Sequence, residues 1–159
     1  MALTASMPNA VAHGIDDLRA LKDQVIGPSQ WREVTQEMVD QFAELSGDHQ
    51  WIHVDVERAK REMPGGKTIA HGYLTLSLIP RLTQSIVRIR KRSRGINYGS
   101  NKVRYLNPVK AGSRVRLVQG LKAAEPIEGG QRLIFDMTVE IDGEERPALI
   151  AETIALAYD

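Results

Sequence analysis

The clearest periodicity in the chain lies in its last third. Leu133, Phe135, Met137, Val139 and Ile141 keep a period of two against Arg132, Asp136, Thr138, Glu140 and Asp142. That spacing predicts a strand with one face in the core and one in water. Val103 and Tyr105 alternate with Lys102 and Arg104, and Val115 and Leu117 with Arg114 and Arg116, so two further half-buried antiparallel strands are expected. Asn107-Pro108, Gly129-Gly130 and Asp142-Gly143 supply the turns between them. The segment from Ala148 to Tyr158 is apolar on both faces, which predicts a central place in the sheet.

The first half carries helical spacing instead. Ile15, Leu18, Leu21 and Lys22, with Asp16 and Asp17 near the start, predict a short helix that ends at Gly27-Pro28. Trp31, Glu33 and Val34 suit a strand. Thr35 is expected to cap a helix with Met38, Phe42 and Leu45 on one face, stopped by Ser46-Gly47. Asp55 should cap a short solvated helix closed by Pro64-Gly65-Gly66. From His71 to Pro80, the side chains of Tyr73, Leu74, Leu76, Leu78 and Ile79 cover most of the helical circumference, which predicts a buried helix. Proline inside a helix costs about 3 kcal/mol, so Pro80 should impose a kink or a fresh start through Arg81, Leu82 and Ile86. One buried helix followed by long antiparallel strands implies an α+β fold in which the sheet wraps that helix. Pattern alone does not fix the strand order.

Composition narrows the function classes. The chain has 159 residues, enough for one domain with a substantial core, and a formal net charge of +1 that names no partner. It has no cysteine, which excludes a disulfide framework, a thiol nucleophile and any cysteine-based metal site. His13, His49, His53 and His71 match no His-x-x-x-His pattern, so neither a metal nor a cofactor is expected. No apolar stretch approaches the roughly 20 residues of a membrane span. Residues 1–14, rich in Ala, Ser, Asn and Gly and without a secretory pattern, read as a flexible tail before a domain over 15–159, and a cytoplasmic address is expected. Arg88, Arg90, Lys91, Arg92 and Arg94 form a basic run, read first as a solvated loop face and second as a phosphate site. No RNA-binding motif or interleaved aromatic platform accompanies it, so nucleic acid is not an expected partner.

Candidate chemistry is concentrated in FAELSGDHQWIHVDVERA, Phe42 to Ala59. Asp48 and His53, five positions apart, converge only if the chain turns between them, and Gly47 permits a turn. On spacing alone two readings stand: a carboxylate and an imidazole sharing one water for acid-base work, or a capping acid beside a hydrogen-bonded core histidine.

The same segment resembles the signature of the MaoC-like (R)-specific enoyl-CoA hydratases. That signature has an aromatic, an aliphatic and a small residue before Gly-Asp-x-Asn-Pro-aliphatic-His, and a small residue six further on. Phe42, Leu45, Ser46, Gly47, Asp48, Ile52, His53 and Ala59 fall on it in register, while Gln50 and Trp51 stand where the family has Asn and Pro. With Ile69-Ala70-His71-Gly72 and Asn97-Tyr98-Gly99 the likeness extends from Ser29 onward, nearest the branch related to nodulation protein N. It implies a single hot-dog fold, a homodimer and an acyl-thioester substrate carried on coenzyme A or an acyl-carrier protein. The implied reaction is syn addition of water to a trans-2-enoyl thioester, with Asp48 and His53 catalytic. Gly72 at the start of the buried helix is the candidate oxyanion donor, and Gln50, Trp51, Asn97 and Tyr98 are candidate substrate contacts. His71 is read as a structural histidine that orients the turn. The rivals are a hot-dog acyl-CoA thioesterase and a non-catalytic acyl-thioester-binding subunit; Gly72 to Ser85 contains no Asp or Glu, which counts against the thioesterase.

Overall fold

The computed structural model of the protein describes residues 10–12 and 16–158. In chain order come β1 (Ala10–Ala12), a 3-10 turn over Asp16–Leu21, β2 (Val25–Ile26) and β3 (Arg32–Glu33). The helices α1 (Gln36–Ser46), α2 (Trp51–Val54), α3 (Val56–Glu62), α4 (Gly72–Ser77) and α5 (Ile79–Thr83) follow. After β4 (Val87–Ile89) the chain ends in four long strands, β5 (Arg94–Tyr105), β6 (Arg114–Ile127), β7 (Gly130–Ile141) and β8 (Leu149–Tyr158).

The main sheet has the order β2-β6-β7-β8-β5 and is antiparallel throughout, with β3 also paired to β6. β8, apolar on both faces, lies between β7 and β5, the interior place its sequence predicts. Leu74, Ile79, Leu82 and Ile86 pack against Val115, Leu117, Met137, Val139, Leu149 and Ala151, so one face of the sheet closes over the α4–α5 segment. Each such aliphatic side chain contributes about 1.5–3 kcal/mol when fully buried. A smaller cluster of Leu18, Leu121, Leu133 and Ala157 extends the core toward the far end.

Capping follows the sequence closely. Thr35 accepts a hydrogen bond from the Met38 N–H, Asp55 accepts one from the Arg58 N–H, and Gly47 ends α1 in the left-handed region at φ 77°. Four expectations fail, each for a local reason. The predicted first helix is only a 3-10 turn, because Asp23 turns left-handed (φ 62°) and its N–H goes to the Leu121 carbonyl, starting a strand before Gly27-Pro28. α1 is rotated by one residue: Val39 and Ala43 face the core and Leu45 is 85% exposed. The α4 helix is not buried all round, since Tyr73 stands 73% exposed on its open side. β5 is an edge strand in which only Gly99 and Val103 are even half-buried, so Tyr105 is not a core residue. Pro80 gives the fresh start: α4 ends at Ser77 and α5 begins at Ile79 with the proline in its first turn, where its missing N–H costs nothing.

Of the expected tail, Ala10–Ala12 pairs in parallel with Val87–Ile89, while residues 1–9 and 13–15, including His13 and Ile15, lie outside the described residues. Among the described residues no helix is long and apolar enough to cross a membrane.

Truncating Leu117, which is fully buried, should lower the unfolding free energy by about 2–5 kcal/mol, whereas Leu45→Ala should move it by less than about 0.5 kcal/mol. Urea midpoints of the two variants measure the difference; equal shifts would mean that α1 sits in another rotation.

Candidate active site

The site begins where α1 stops. Gly47 donates its N–H to the Ala43 carbonyl at 2.8 Å and turns the chain, so that Asp48 leaves the helix on the open side. There the Asp48 Oδ1 accepts the Gln50 N–H at 3.3 Å. Gln50 has φ −56° and ψ 134°, and Trp51 is the first residue of α2. Those are the extended conformation that a following proline imposes and the helix position that proline favours. The backbone of the Asn-Pro pattern is therefore kept without its residues. The single turn of α2 then carries His53 back beneath the acid.

His53 is buried, 7% exposed, with Nδ1 2.7 Å from the Ile69 carbonyl. A carbonyl only accepts, so Nδ1 carries the proton and, in the neutral ring, Nε2 keeps its lone pair. His71, 3% exposed, lies against it with ring centroids 3.8 Å apart and planes at 26°. The His71 Nε2–H donates to the Asp48 backbone carbonyl at 2.9 Å, and Phe42 packs on the other side of the ring at 5.0 Å. His71 thus holds the acid's backbone. Gln36 closes the frame by donating to the His53 carbonyl at 2.8 Å and accepting from the Thr68 hydroxyl.

The functional atoms of Asp48, His53 and His71 all lie within 4.8 Å of one another. Such a trio invites comparison with a metal centre. One nitrogen of each imidazole is already committed to a backbone carbonyl, however, which leaves each ring a single nitrogen for any other partner. The cluster suits proton handling better.

His53 and Gly72 open into a cavity of about 280 Å³ whose walls include Ile69, Thr75, Tyr105 and Val109. Gly72 is the first residue of α4, so its N–H has no intrahelical acceptor. The Tyr105 ring crosses directly over it: a Cβ at position 72 would stand 3.0 Å from two ring carbons. Burial, and then the neighbouring Tyr73, hold the Tyr105 phenol above its ordinary value of 10.0, so it stays protonated and able to donate. A larger cavity of about 400 Å³ lies elsewhere, where Arg116 both stacks on Trp31 and binds Glu140; it contains none of the predicted site residues.

Asp48 and His53 are brought together, and His53 and Gly72 share the cavity wall, of which Asp48 is not itself a part; the other predicted contacts are not brought there. Gln50 stands at the N-terminal boundary of α2 without a side-chain capping bond and is exposed, and Trp51 is covered by the Arg58 guanidinium at 4.0 Å. Asn97 and Tyr98 lie on the open edge of β5, with Tyr98 63% exposed, and neither lines the cavity. β5 is 12 residues long, so Arg94, the last residue of the basic run, stands about 36 Å along the strand from Tyr105. Tyr105, Thr75 and Gln36 escaped the sequence reading. Tyr105 had a faint signal, an aromatic just before Asn107-Pro108; Gln36 had none.

Strand order, the helix enclosed by the sheet and the acid-imidazole pair beside the helix start define a hot-dog protein with a polar site at its cavity. Residues 17–133 match the MaoC like domain, and the chain belongs to the MaoC-like dehydratase family. It is 45% identical over 141 residues to 3-hydroxyacyl-thioester dehydratase Z of Mycobacterium tuberculosis, covering 88% of this chain and 93% of that protein. Nodulation protein N of Rhizobium leguminosarum is 46% identical over 136 residues, 84% of each chain. Among solved structures, the unliganded R-hydratase of Pseudomonas aeruginosa superposes with a TM-score of 0.71 at 20% identity, covering 87% of this chain and 82% of that one. At that identity the likeness concerns the fold.

If Nδ1 of His53 carries the proton, nitrogen-15 spectra of the neutral ring should show a protonated Nδ1 and a bare Nε2. The opposite tautomer would place the Ile69 carbonyl outside the hydrogen bond.

Proposed function

We propose that the protein is an (R)-specific enoyl-CoA hydratase, acting in reverse as a (3R)-hydroxyacyl-thioester dehydratase. The observation that carries this reading is the approach of the Asp48 carboxylate and the His53 ring, within 4.8 Å, beside a cavity that also exposes a free backbone N–H at Gly72. The similarity to a 3-hydroxyacyl-thioester dehydratase supports an acyl-thioester substrate.

In hydration, a water held between Asp48 and His53 gives up a proton as its oxygen attacks C3 of the enoyl thioester. Electron density moves through C2 to the thioester oxygen, where the Gly72 N–H stabilises the developing charge. C2 then takes a proton from the same pair, so hydrogen and hydroxyl add to one face; the face turned toward the pair sets the hand at C3, which is 3R in this reading. Because the Ile69 carbonyl occupies Nδ1, Nε2 is the atom of His53 that exchanges protons. The chain acts as a homodimer in this reading, supported by the long open edge of β5, on which Ile96 and Tyr98 are exposed.

Asp48→Asn and His53→Ala should each lower kcat at least ~100-fold with the fold intact, and the double variant should fall little further, since the pair acts on one water. Loss of enoyl absorbance from crotonyl-CoA without release of free thiol is the assay. Thiol release abolished by Asp48→Asn would make the protein a thioesterase, and saturable acyl-CoA binding with neither signal would make it a binding subunit. Gly72→Val keeps the N–H but sets a side chain against the Tyr105 ring and in the path of the acyl carbonyl, so the carbonyl loses its donor and kcat should fall by roughly 10²–10³ while Asp48 and His53 stay in place. A folded Gly72→Val variant with normal kcat would take the oxyanion role away from that glycine.

A further inference from the structure

The cavity wall formed by Ile69 and Val109 belongs to a short antiparallel meeting of two segments. Ile69 bridges Lys110, the Ala70 N–H donates to the Val109 carbonyl at 2.7 Å, and the Ala111 N–H donates to the Thr68 carbonyl at 2.9 Å. Residues directly opposed in such a ladder share a face, so Ile69 and Lys110 lie on one side, joined two residues earlier by Lys67. The lysine side chains run along this ladder away from the cavity. A Cβ at Gly65 would lie 3.1 Å from Lys110 Nζ, and one at Gly112 would lie 3.7 Å from Lys67 Nζ. Gly65, at φ 77°, is therefore also the place where a side chain would displace the Lys110 ammonium. Among the described residues neither lysine has an acidic partner, although Lys110 is half-buried.

We infer that Lys67 and Lys110 form a clasp for the phosphate at the far end of the substrate's pantetheine arm. The inference rests on the thioester reading above. Distance is compatible with it: five residues separate Lys67 from Gly72, a span of at most about 16 Å at the rise of a strand. From the thioester sulfur to the first phosphorus of a phosphopantetheine arm there are about thirteen bonds, also roughly 16 Å at the rise per bond of an extended backbone. Two ammonium groups without acidic partners are open to an anion, and each would make a charge-assisted contact with it. Coenzyme A and a carrier protein's prosthetic group both present that phosphate.

The test compares enoyl thioesters of coenzyme A, of a carrier protein and of phosphate-free pantetheine. In a Lys67→Ser, Lys110→Ser double variant KM should rise about 10-fold or more for a phosphate-bearing substrate, with kcat unchanged and the pantetheine thioester unaffected. The salt dependence of that KM should also flatten. A rise confined to coenzyme A assigns the clasp to its pyrophosphate; a rise for both carriers assigns it to the phosphate they share. An equal KM ratio with and without phosphate overturns it. If wild type hydrates none of the three, the hydratase reading falls, and calorimetry with free coenzyme A decides the clasp separately. Binding weakened about 10-fold in the double variant supports it; unchanged binding, or none to wild type, overturns it.

Discussion

A buried imidazole N–H must find an acceptor, and two of them set the geometry of this site. Leaving either unpaired would cost about 1–3 kcal/mol. His53 takes the carbonyl of Ile69, and His71 takes that of Asp48, so each histidine is anchored by the segment that carries the other. The two segments are thereby stitched crosswise, with Gln36 as a third tie between His53 and Thr68. Asp48 has little to hold its own carboxylate: one backbone N–H at 3.3 Å, on an exposed side chain. Its position is inherited from the buried rings behind it. An acid held through its backbone keeps its oxygens available for a ligand.

How much of this was legible depends on which physical effect wrote each feature. β7 and β8 were readable because burying one face or both of a strand leaves a direct imprint on residue order. Thr35, Gly47 and Asp55 were readable because a helix end has local hydrogen-bond needs that only a few residues meet. The rotation of α1 was not, since Met38, Phe42 and Leu45 make as good an apolar stripe as Val39 and Ala43, and only the partner surface chooses between them. Tyr73 and β5 misled for a similar reason: pattern reports apolar character, not whether anything covers it.

The site divides in the same way. Asp48 and His53 converge across a loop, where spacing has no period to follow, and it was likeness to a known signature that singled them out. Trp51 shows the limits of reading such a signature residue by residue. The extended backbone at Gln50 and the helix start at Trp51 persist without proline, and the indole is held by Arg58 outside the cavity. Tyr105 reaches Gly72 only because β5 pairs with β8 and ends beside α4, a relation that exists at the level of tertiary structure alone.

The place of β8 has a consequence for how the chain reaches this state. It is the last strand in order, yet it sits between β7 and β5, and β5 pairs with no other long strand. During synthesis β6 and β7 can close as a hairpin as soon as they emerge, with Gly129-Gly130 at the turn. β5, made earlier, must wait with its backbone unpaired until residues 149–158 leave the ribosome. Pairings of such separation form late and slowly, and an unpaired strand bearing Ile96 and Tyr98 is open to wrong partners in the interval. Arg94, Lys102 and Arg104 on that strand keep it charged and solvated while it waits for β8.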